Sequence, residues 1–345
     1  MKRHVNIPVF IPHLGCPNQC VFCNQKTISG VSEFELSTVK NTIDNAISTI
    51  ESDAEVEIAF FGGSFTGIDT SLMISLLEIA NSYIKDGRVS SIRCSTRPDY
   101  IDSERLEILA EYGVKVIELG LQSISDRVLD LTKRGHNFDS EKRACDLIVK
   151  SGFSLVGQMM IGLPGSTPES EIETARFIIS SGAVAARIYP TVVFKNTELY
   201  DMTRLGIYTP LSLQEAVDRS AKVFSLFLEN NVEIIRIGLC ASENLSSEES
   251  YYAGPNHSAL GELVINKYYY DKILENAKKL SLSESDILNI AVAHGRLSSV
   301  IGQKKNNKIL LSKSLPVRHI SFFESDLVSG YDVLLQKELG ENKCT

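Results

Sequence analysis

The sequence predicts an α/β protein whose core is a parallel sheet. Up to about residue 190, short β-branched and aromatic runs alternate with amphipathic stretches of helical spacing, and Gly, Pro or Ser punctuates the junctions. The polar motifs recur just after a strand-like run or at its C-terminal end, where open α/β sheets and barrels build their sites. Strand-then-helix units in a row imply right-handed crossovers. Whether such a sheet stays open or curls into a barrel, the pattern alone does not choose.

The expected strands, in order, are Val5 to Ile11, Val56 to Phe61, Ser91 to Ser95, Lys115 to Leu121, Ser154 to Ile161 and Ala183 to Tyr189. Between them, Leu72, Leu76, Ile79 and Tyr83 make one helical stripe and Leu106, Leu109 and Ala110 another. Ser103, Glu104 and Gly113 frame a short helix with a start and a stop. After Tyr189 the rhythm changes. Thr209 to Glu229 reads as a helix, Val232 to Ile237 as a strand, and Leu260 to Lys279 as mostly helical with the triplet Tyr268-Tyr269-Tyr270. The last 60 or so residues are weakly patterned. The expected division is a core over residues 1–196 and an α/β extension over 197–345 that is a candidate substrate lid, with no repeat or low-complexity tract.

Composition narrows the class. The chain has 345 residues, 43% hydrophobic and 23% charged, enough apolar content for a continuous core and too much for disorder. No uncharged apolar run approaches the roughly 20 residues of a membrane span, and Pro8, Pro12 and His13 interrupt any signal-peptide core. The expectation is a cytosolic (cytoplasmic) enzyme with no membrane partner. A net charge of −8 argues against bulk nucleic-acid binding. One stretch, Arg296 to Phe323, nevertheless carries Arg296, Lys304, Lys305, Lys308, Lys313 and Arg318 with no acidic residue. It is either a solvated surface or a phosphate-contacting patch.

Of the seven cysteines, Cys16, Cys20 and Cys23 crowd into the loop after the first strand; Cys94, Cys145, Cys240 and Cys344 are scattered. Clustered thiols in a long chain of this kind mean metal or redox chemistry rather than a disulfide framework. Three thiolates can hold three irons of a four-iron, four-sulfur cluster and leave one iron open. Zinc is the competing reading, with His13 completing a Cys3His tetrahedron. Gly62-Gly63-Ser64 ends the second strand, where paired glycines admit close backbone approach or make a tight turn. Ser95-Thr96-Arg97-Pro98-Asp99 supplies hydroxyls and a guanidinium, or a capped loop. Period two puts Glu118, Gly120 and Gln122 on one face of the fourth strand. Since an enclosed strand is otherwise apolar, Glu118 and Gln122, like Gln158 on the fifth strand, need polar partners: an internal network or a lined cavity. Arg134 offers a fork suited to a carboxylate.

In this order these residues resemble the radical S-adenosylmethionine (radical SAM) superfamily, and in particular the radical SAM domain of the elongator catalytic subunit. The Cys-x3-Cys-x2-Cys loop, Phe61-Gly62-Gly63-Ser64-Phe65, Ser95-Thr96-Arg97-Pro98-Asp99, Glu118-Leu119-Gly120-Leu121-Gln122-Ser123, Arg134-Gly135-His136, Leu163-Pro164-Gly165 and Ile188-Tyr189-Pro190-Thr191 all have look-alikes there, over about residues 5 to 237. The resemblance implies a partial (β/α)6 TIM-like barrel with a [4Fe–4S] cluster on Cys16, Cys20 and Cys23 and S-adenosylmethionine on the open iron. It implies Gly62, Gly63 and Ser64 at the methionine amino group, Arg134 at its carboxylate, Gln122 at a ribose hydroxyl and backbone near Ile161 and Gly162 beside the adenine. Glu118 and Ser95 are assigned to the same pocket. A reductant such as flavodoxin or ferredoxin is implied as partner.

This chain departs from the elongator subunit in four ways. The spacing between its first two cysteines is much shorter, and Arg187 stands where Lys is expected. It has neither the length nor a Gly-rich pyrophosphate loop for an acetyltransferase domain. Its first strand begins within five residues of Met1, so no N-terminal RNA-binding portion is expected. The radical-initiation half of the resemblance carries over and the substrate half stays open. The first reading is an enzyme acting on tRNA, at the wobble uridine, or on another nucleotide-containing substrate. The alternatives are a small-molecule enzyme like coproporphyrinogen oxidase and a zinc-stabilised binding module. Tyr251-Tyr252-Ala253-Gly254-Pro255-Asn256-His257 and the basic stretch from Arg296 are the candidate lid segments, a packed surface turn being the other reading of the first.

Overall fold

The computed structural model describes residues 4–11, 14–16, 19–24, 34–51, 53–239 and 250–339. Seven strands form one sheet: β1 (His4–Phe10), β2 (Glu55–Phe61), β3 (Ser91–Thr96), β4 (Val114–Gln122), β5 (Ser154–Ile161), β6 (Ala185–Pro190) and β8 (Glu233–Ile237). They neighbour one another in that order, and every pairing is parallel. Strand-to-strand twist accumulates along such a run and curls it, giving an open α/β half-barrel with β1 and β8 as its edges. All six expected strands are present within two residues of their expected ends. The strand expected over Val232 to Ile237 is present as β8 and joins the sheet against β6 as its seventh strand.

Between the strands, helix starts are set by side-chain caps that satisfy otherwise orphaned N–H groups. Asp69 accepts from Ser71 N and Leu72 N at the start of the helix Thr70–Lys85. Asp102, not Ser103, caps the helix Ser103–Glu111, and Asn137 caps Phe138–Lys150. The helix expected from Thr209 begins at Leu213, because Ser212 and Glu215 close a reciprocal capping box there. The buried stripe of the helix Thr70–Lys85 is Met73, Leu76, Leu77, Ala80 and Tyr83. Leu72 and Ile79, expected on it, lie at its margins, and Ala110 is exposed.

Alternation along the strands separates two faces. A Cβ at Gly157 would come 2.6 Å from the Ile178 side chain on the helix Pro168–Ser180, so that face of β5 meets the outer helices. Gln158 points the other way, into the lumen, where it donates to Ser95 and Glu118, and Arg93 and Arg187 donate to the same Glu118. The apolar face carries Ile58, Phe60, Ile92, Cys94, Ile117, Leu119, Leu155, Met159 and Ile188, all buried. The antiparallel pair β7 (Val193–Phe194) and β9 (Tyr251–Ala253) pins the Tyr251-to-Gly254 segment, and the Tyr251 hydroxyl donates to Gly254 O at 2.8 Å.

Contacts divide the chain into two units, Met1–Ala216 with Leu226–Asn256, and Val217–Ser225 with His257–Thr345. In the second, β10 (Asp286–Val292) lies between a parallel β11 (His319–Glu324) and an antiparallel β12 (Val333–Leu339). The helices Leu260–Ala277, Leu297–Ile301 and Asn306–Ser314 complete it, tied where Asn307 donates to Asn266 O and Val300 O. This order was not expected from the weak patterning of the last residues. Among the described residues, no helix is long and apolar enough to cross a membrane.

Candidate functional site

The loop after β1 is locked at both ends. Ile11 N donates to Phe61 O at 2.6 Å, and Val21 exchanges backbone hydrogen bonds with Thr132 O (3.2 Å) and Leu199 N (2.8 Å). Val21 is buried with Val193, Leu199 and Tyr208. A turn in which Cys23 N donates to Cys20 O at 3.0 Å sets those two cysteines side by side. Cys20 is buried; Cys16 and Cys23 are half-buried.

Glycines bring the second loop against the first. A Cβ at Gly63 would strike Leu14 O and lie 2.9 Å from Ile11 O, while one at Gly15 would strike Ser64 O and lie 2.7 Å from the Gly67 carbonyl carbon. Gly15 and Gly62 also hold positive φ, +72° and +100°. The Gly-Gly pair therefore has a packing duty: it lets the β2 loop support the cysteine loop backbone to backbone. Ser64 is fully buried and spent on protein partners, with Thr96 Oγ1 at 2.8 Å and Arg97 N at 3.3 Å.

Two arginines face the cysteines. Arg134 Nη1 lies 3.4 Å and Arg97 Nη1 3.7 Å from Cys20 Sγ, so two guanidiniums contact that sulfur. Burial raises the pKa of the Cys16 thiol, against the pull of Arg97 and Arg134. Arg97 grips Asp99 with Nε at 2.9 Å and Nη2 at 3.0 Å and donates to Arg134 O. His136 Nδ1 stands 3.5 Å from Asp99 and its Nε2 3.1 Å from Glu141. Burial would raise the Asp99 pKa, but His136 and Arg97 hold it well below the usual carboxylate range. Glu141 goes the other way: burial pushes it up to about 7 in spite of His136.

Deeper in the lumen, Glu118 is fully buried and receives Arg187 Nε at 2.6 Å and Nη2 at 2.9 Å, Arg93 Nη1 at 3.0 Å and Gln158 Nε2 at 2.9 Å. Arg93 continues to Glu57 at 2.7 Å, and Glu57 to His4 at 2.9 Å. A buried carboxylate is tolerated only when paired and hydrogen-bonded in this way. Of the two readings open for Glu118, the geometry gives the internal network.

Gln122 and Arg134 contrast with these satisfied groups. Register slips between Gly120 and Gln122, and Gln122 takes φ +71°, a strained value for a non-glycine at a bulge. Its Oε1 is buried without a partner, as is Arg134 Nε. A Cβ at Gly120 would lie 3.0 Å from Gln122 Nε2, a tight approach from which the amide would have to shift, and in ordinary contact, at 3.6 Å, with Arg134 Nη2. An unmet guanidinium donor thus stands on the side chain that contacts Cys20, and an unmet acceptor on the bulge whose Gly120 O that side chain grips.

Ser95 lies in the same lumen, accepting from Gln158 at 3.1 Å. The Ile161 and Gly162 backbone groups expected beside an adenine already have partners. Ile161 O accepts from Thr191 N and Oγ1, Gly162 N donates to Glu171 at 2.7 Å, and Gly162 O accepts from Tyr208 at 2.7 Å. Arg93, Glu57 and Glu141 were not singled out from the sequence, and Asp99 and His136 entered only as members of quoted motifs, without a role of their own. The signal for the first two was present as charges inside otherwise apolar strands. His13 and Cys240 lie outside the described residues.

No group of three or more His, Cys, Asp or Glu among the described residues is arranged around a single metal ion. A four-iron cluster asks for something else: thiolates on separate irons, with polar groups left over for its co-substrate. Three cysteines on one clamped loop, the Arg134 Nε donor and the Gln122 Oε1 acceptor fit that requirement.

The radical SAM superfamily profile matches residues 10–178, and the radical SAM C-terminal domain profile residues 184–270. An uncharacterized protein of Methanocaldococcus jannaschii is 31% identical over 222 residues, covering 61% of this chain and 68% of its own length. A tRNA uridine(34) acetyltransferase from the same organism is 29% identical over 158 residues, 45% of this chain and 29% of its own. Elongator complex protein 3 of Homo sapiens is 32% identical over 138 residues, 39% and 25% of the two chains. This chain thus spans under a third of those two relatives. Among solved structures, Methanocaldococcus infernus Elp3 lacking residues 1–46 shares the fold with a TM-score of 0.62 at 21% identity, over 79% of this chain and 68% of that one. The chain belongs to the radical SAM superfamily, with elongator-like relatives. It is a radical SAM enzyme, and its cofactors are those of that superfamily, a [4Fe–4S] cluster and S-adenosylmethionine.

Proposed function

We infer that Cys16, Cys20 and Cys23 hold the cluster and that the enzyme cleaves S-adenosylmethionine to initiate a radical modification of a tRNA uridine. The observation that carries the first half is the pair of unmet buried groups, Arg134 Nε on the side chain that contacts the Cys20 thiol and Gln122 Oε1 on the β4 bulge that the same side chain grips. Held there by Cys16, Cys20 and Cys23, the cluster would supply the electron for reductive cleavage of S-adenosylmethionine. The chain's own residues bind, orient and shield. Arg134 turns its free Nε to the methionine carboxylate, and Gln122 Oε1 accepts from a ribose hydroxyl. Gly62, Gly63 and Ser64 bring backbone close to the amino group. Arg97, fixed by Asp99, keeps positive charge at the thiolates, and the Glu118 network closes the lumen beneath them. Electrons come from a small reductant such as flavodoxin or ferredoxin.

The uridine half is supported by the names of the relatives and by the second unit. There Lys304, Lys305, Lys313 and Arg318 are exposed, and no ion pair among the described residues engages them. Lys304 and Lys305 share a left-handed turn at φ +53° and +62° after Gly302. The acetyl transfer named for one relative is not carried over.

Anaerobic reconstitution tests the first half. Each chain should take up about four irons and release 5′-deoxyadenosine from S-adenosylmethionine under dithionite, and Cys→Ala at 16, 20 or 23 should abolish both. One tightly held zinc with no cleavage would overturn it in favour of a binding module. For the second half, tRNA binding should weaken with salt, and neutralising Lys304, Lys305 and Lys308 should make the slope shallower by about two. Equal slopes would turn the assignment to a small-molecule substrate.

A further inference from the structure

We propose that Arg236, beside Tyr189 in the barrel lumen, is the anchor of a phosphate-binding subsite for the substrate. In the sheet register Arg236 on β8 is the direct neighbour of Arg187 on β6. Parallel neighbours in register lie about 4.8 Å apart and present their side chains to the same face. Arg187 faces the lumen, where it meets Glu118, so Arg236 shares that face.

The two guanidiniums have different fates. Arg187 is neutralised by the bidentate grip of Glu118 and rests 5.5 Å over the Phe61 ring. Arg236 is half-buried, and among the described residues no carboxylate makes an ion pair with it. Like charges directly opposite on neighbouring strands destabilise a sheet. Among the described residues this pair has one counter-charge for two cations, which leaves a place for an external anion. Tyr189, two residues past Arg187 on the same face, feels the charges of both arginines, and its phenol is kept protonated by burial. It therefore offers a hydroxyl donor beside a planar fork, the combination that holds a tetrahedral oxyanion.

Position agrees with this chemistry. Tyr189 and Arg236 are each the last residue but one of their strands, toward the C-terminal ends where barrels bind substrate. β8 is an edge of the seven-stranded sheet, hydrogen-bonded in it to β6 alone. The subsite goes beyond the uridine reading: a phosphate is common to a polynucleotide backbone, a free nucleotide and a phosphorylated metabolite.

The test uses the full-length protein and inorganic phosphate, followed by thermal unfolding against chloride of equal ionic strength. In phosphate-free buffer Arg236→Gln should melt no lower than wild type, because it relieves repulsion with Arg187. Millimolar phosphate should raise the wild-type Tm by mass action. Arg236→Gln should weaken phosphate affinity by at least about tenfold, and Arg236→Lys should retain part of it. Equal phosphate shifts in wild type and Arg236→Gln, or a marked loss of Tm in that variant without phosphate, would overturn the proposal. Calorimetry then separates the sources: UMP binding more tightly than uridine only when Arg236 is present points to a mononucleotide. The same Arg236 dependence seen only with an anticodon stem-loop points to a polynucleotide backbone. A phosphate effect without any RNA binding leaves the subsite standing and removes the tRNA reading.

Discussion

Arg134 touches the Cys20 sulfur with one terminal nitrogen, at 3.4 Å, gives the other to Gly120 O and keeps its buried Nε unpaired. One guanidinium therefore joins the cysteine loop to the bulge of β4. Arg134→Gln is expected to weaken S-adenosylmethionine binding about ten- to hundredfold, the worth of a charged hydrogen bond, with iron per chain unchanged. Equilibrium dialysis on reconstituted protein checks the affinity and an iron assay the rest. Lost iron with unaltered affinity would give Arg134 a purely thiolate-supporting role.

Glu118 is the counter-ion of the half-buried Arg187 and shares the buried Arg93 with Glu57, so Glu118→Gln leaves Arg187 without its carboxylate and Arg93 with one of two. Breaking a buried pair in this way costs about 3–5 kcal/mol. Urea unfolding should show that loss as a lower midpoint at unchanged slope. A variant as stable as wild type would mean that water already screens the lumen.

Glu141 gives a pH signature. Its folded pKa of about 7 stands above the reference value of 4.5, so between those values the folded state holds a proton that the unfolded chain releases. Stability must then fall as pH rises through that window. Asp99, depressed in the fold, contributes stability above its reference pKa and loses it only as pH falls through its lower folded value, so it does not mask the effect. Glu141→Gln keeps a hydrogen-bonding partner for His136 and should flatten the stability profile between pH 5 and pH 8. Chemical denaturation at several pH values measures this, and identical profiles would contradict it.

Gly63→Ala inserts a methyl group against Leu14 O and Ile11 O. The cysteine loop must move, and reconstituted iron should drop well below that of wild type while far-ultraviolet circular dichroism stays unchanged. Full iron loading in this variant would show that the clamp yields.

Much of the fold was legible because parallel strands advertise themselves: β1 to β6 are short apolar runs with Gly, Pro or Ser at their borders. The lumen was partly legible, since Glu118 and Gln158 are misplaced charges and amides in strands that should be apolar. Their partners were not, because Arg93 and Arg187 lie 25 and 69 residues away from Glu118 in the chain and only the register brings them together. The same applies to Arg97 and His136. The three-stranded sheet of the second unit escaped notice because β12 is mostly exposed, with a burial pattern that offers no sustained apolar alternation. The early start expected for the helix Leu213–Glu229 has a different origin: apolar periodicity cannot see a cap, and Ser212 with Glu215 decides the boundary.

An arc of parallel strands whose two outermost members never bond to each other sets no ceiling on the girth of what reacts inside it. Ion pairs beneath keep the chemistry dry, and the breadth of the reactant is left for other parts of the chain to fix.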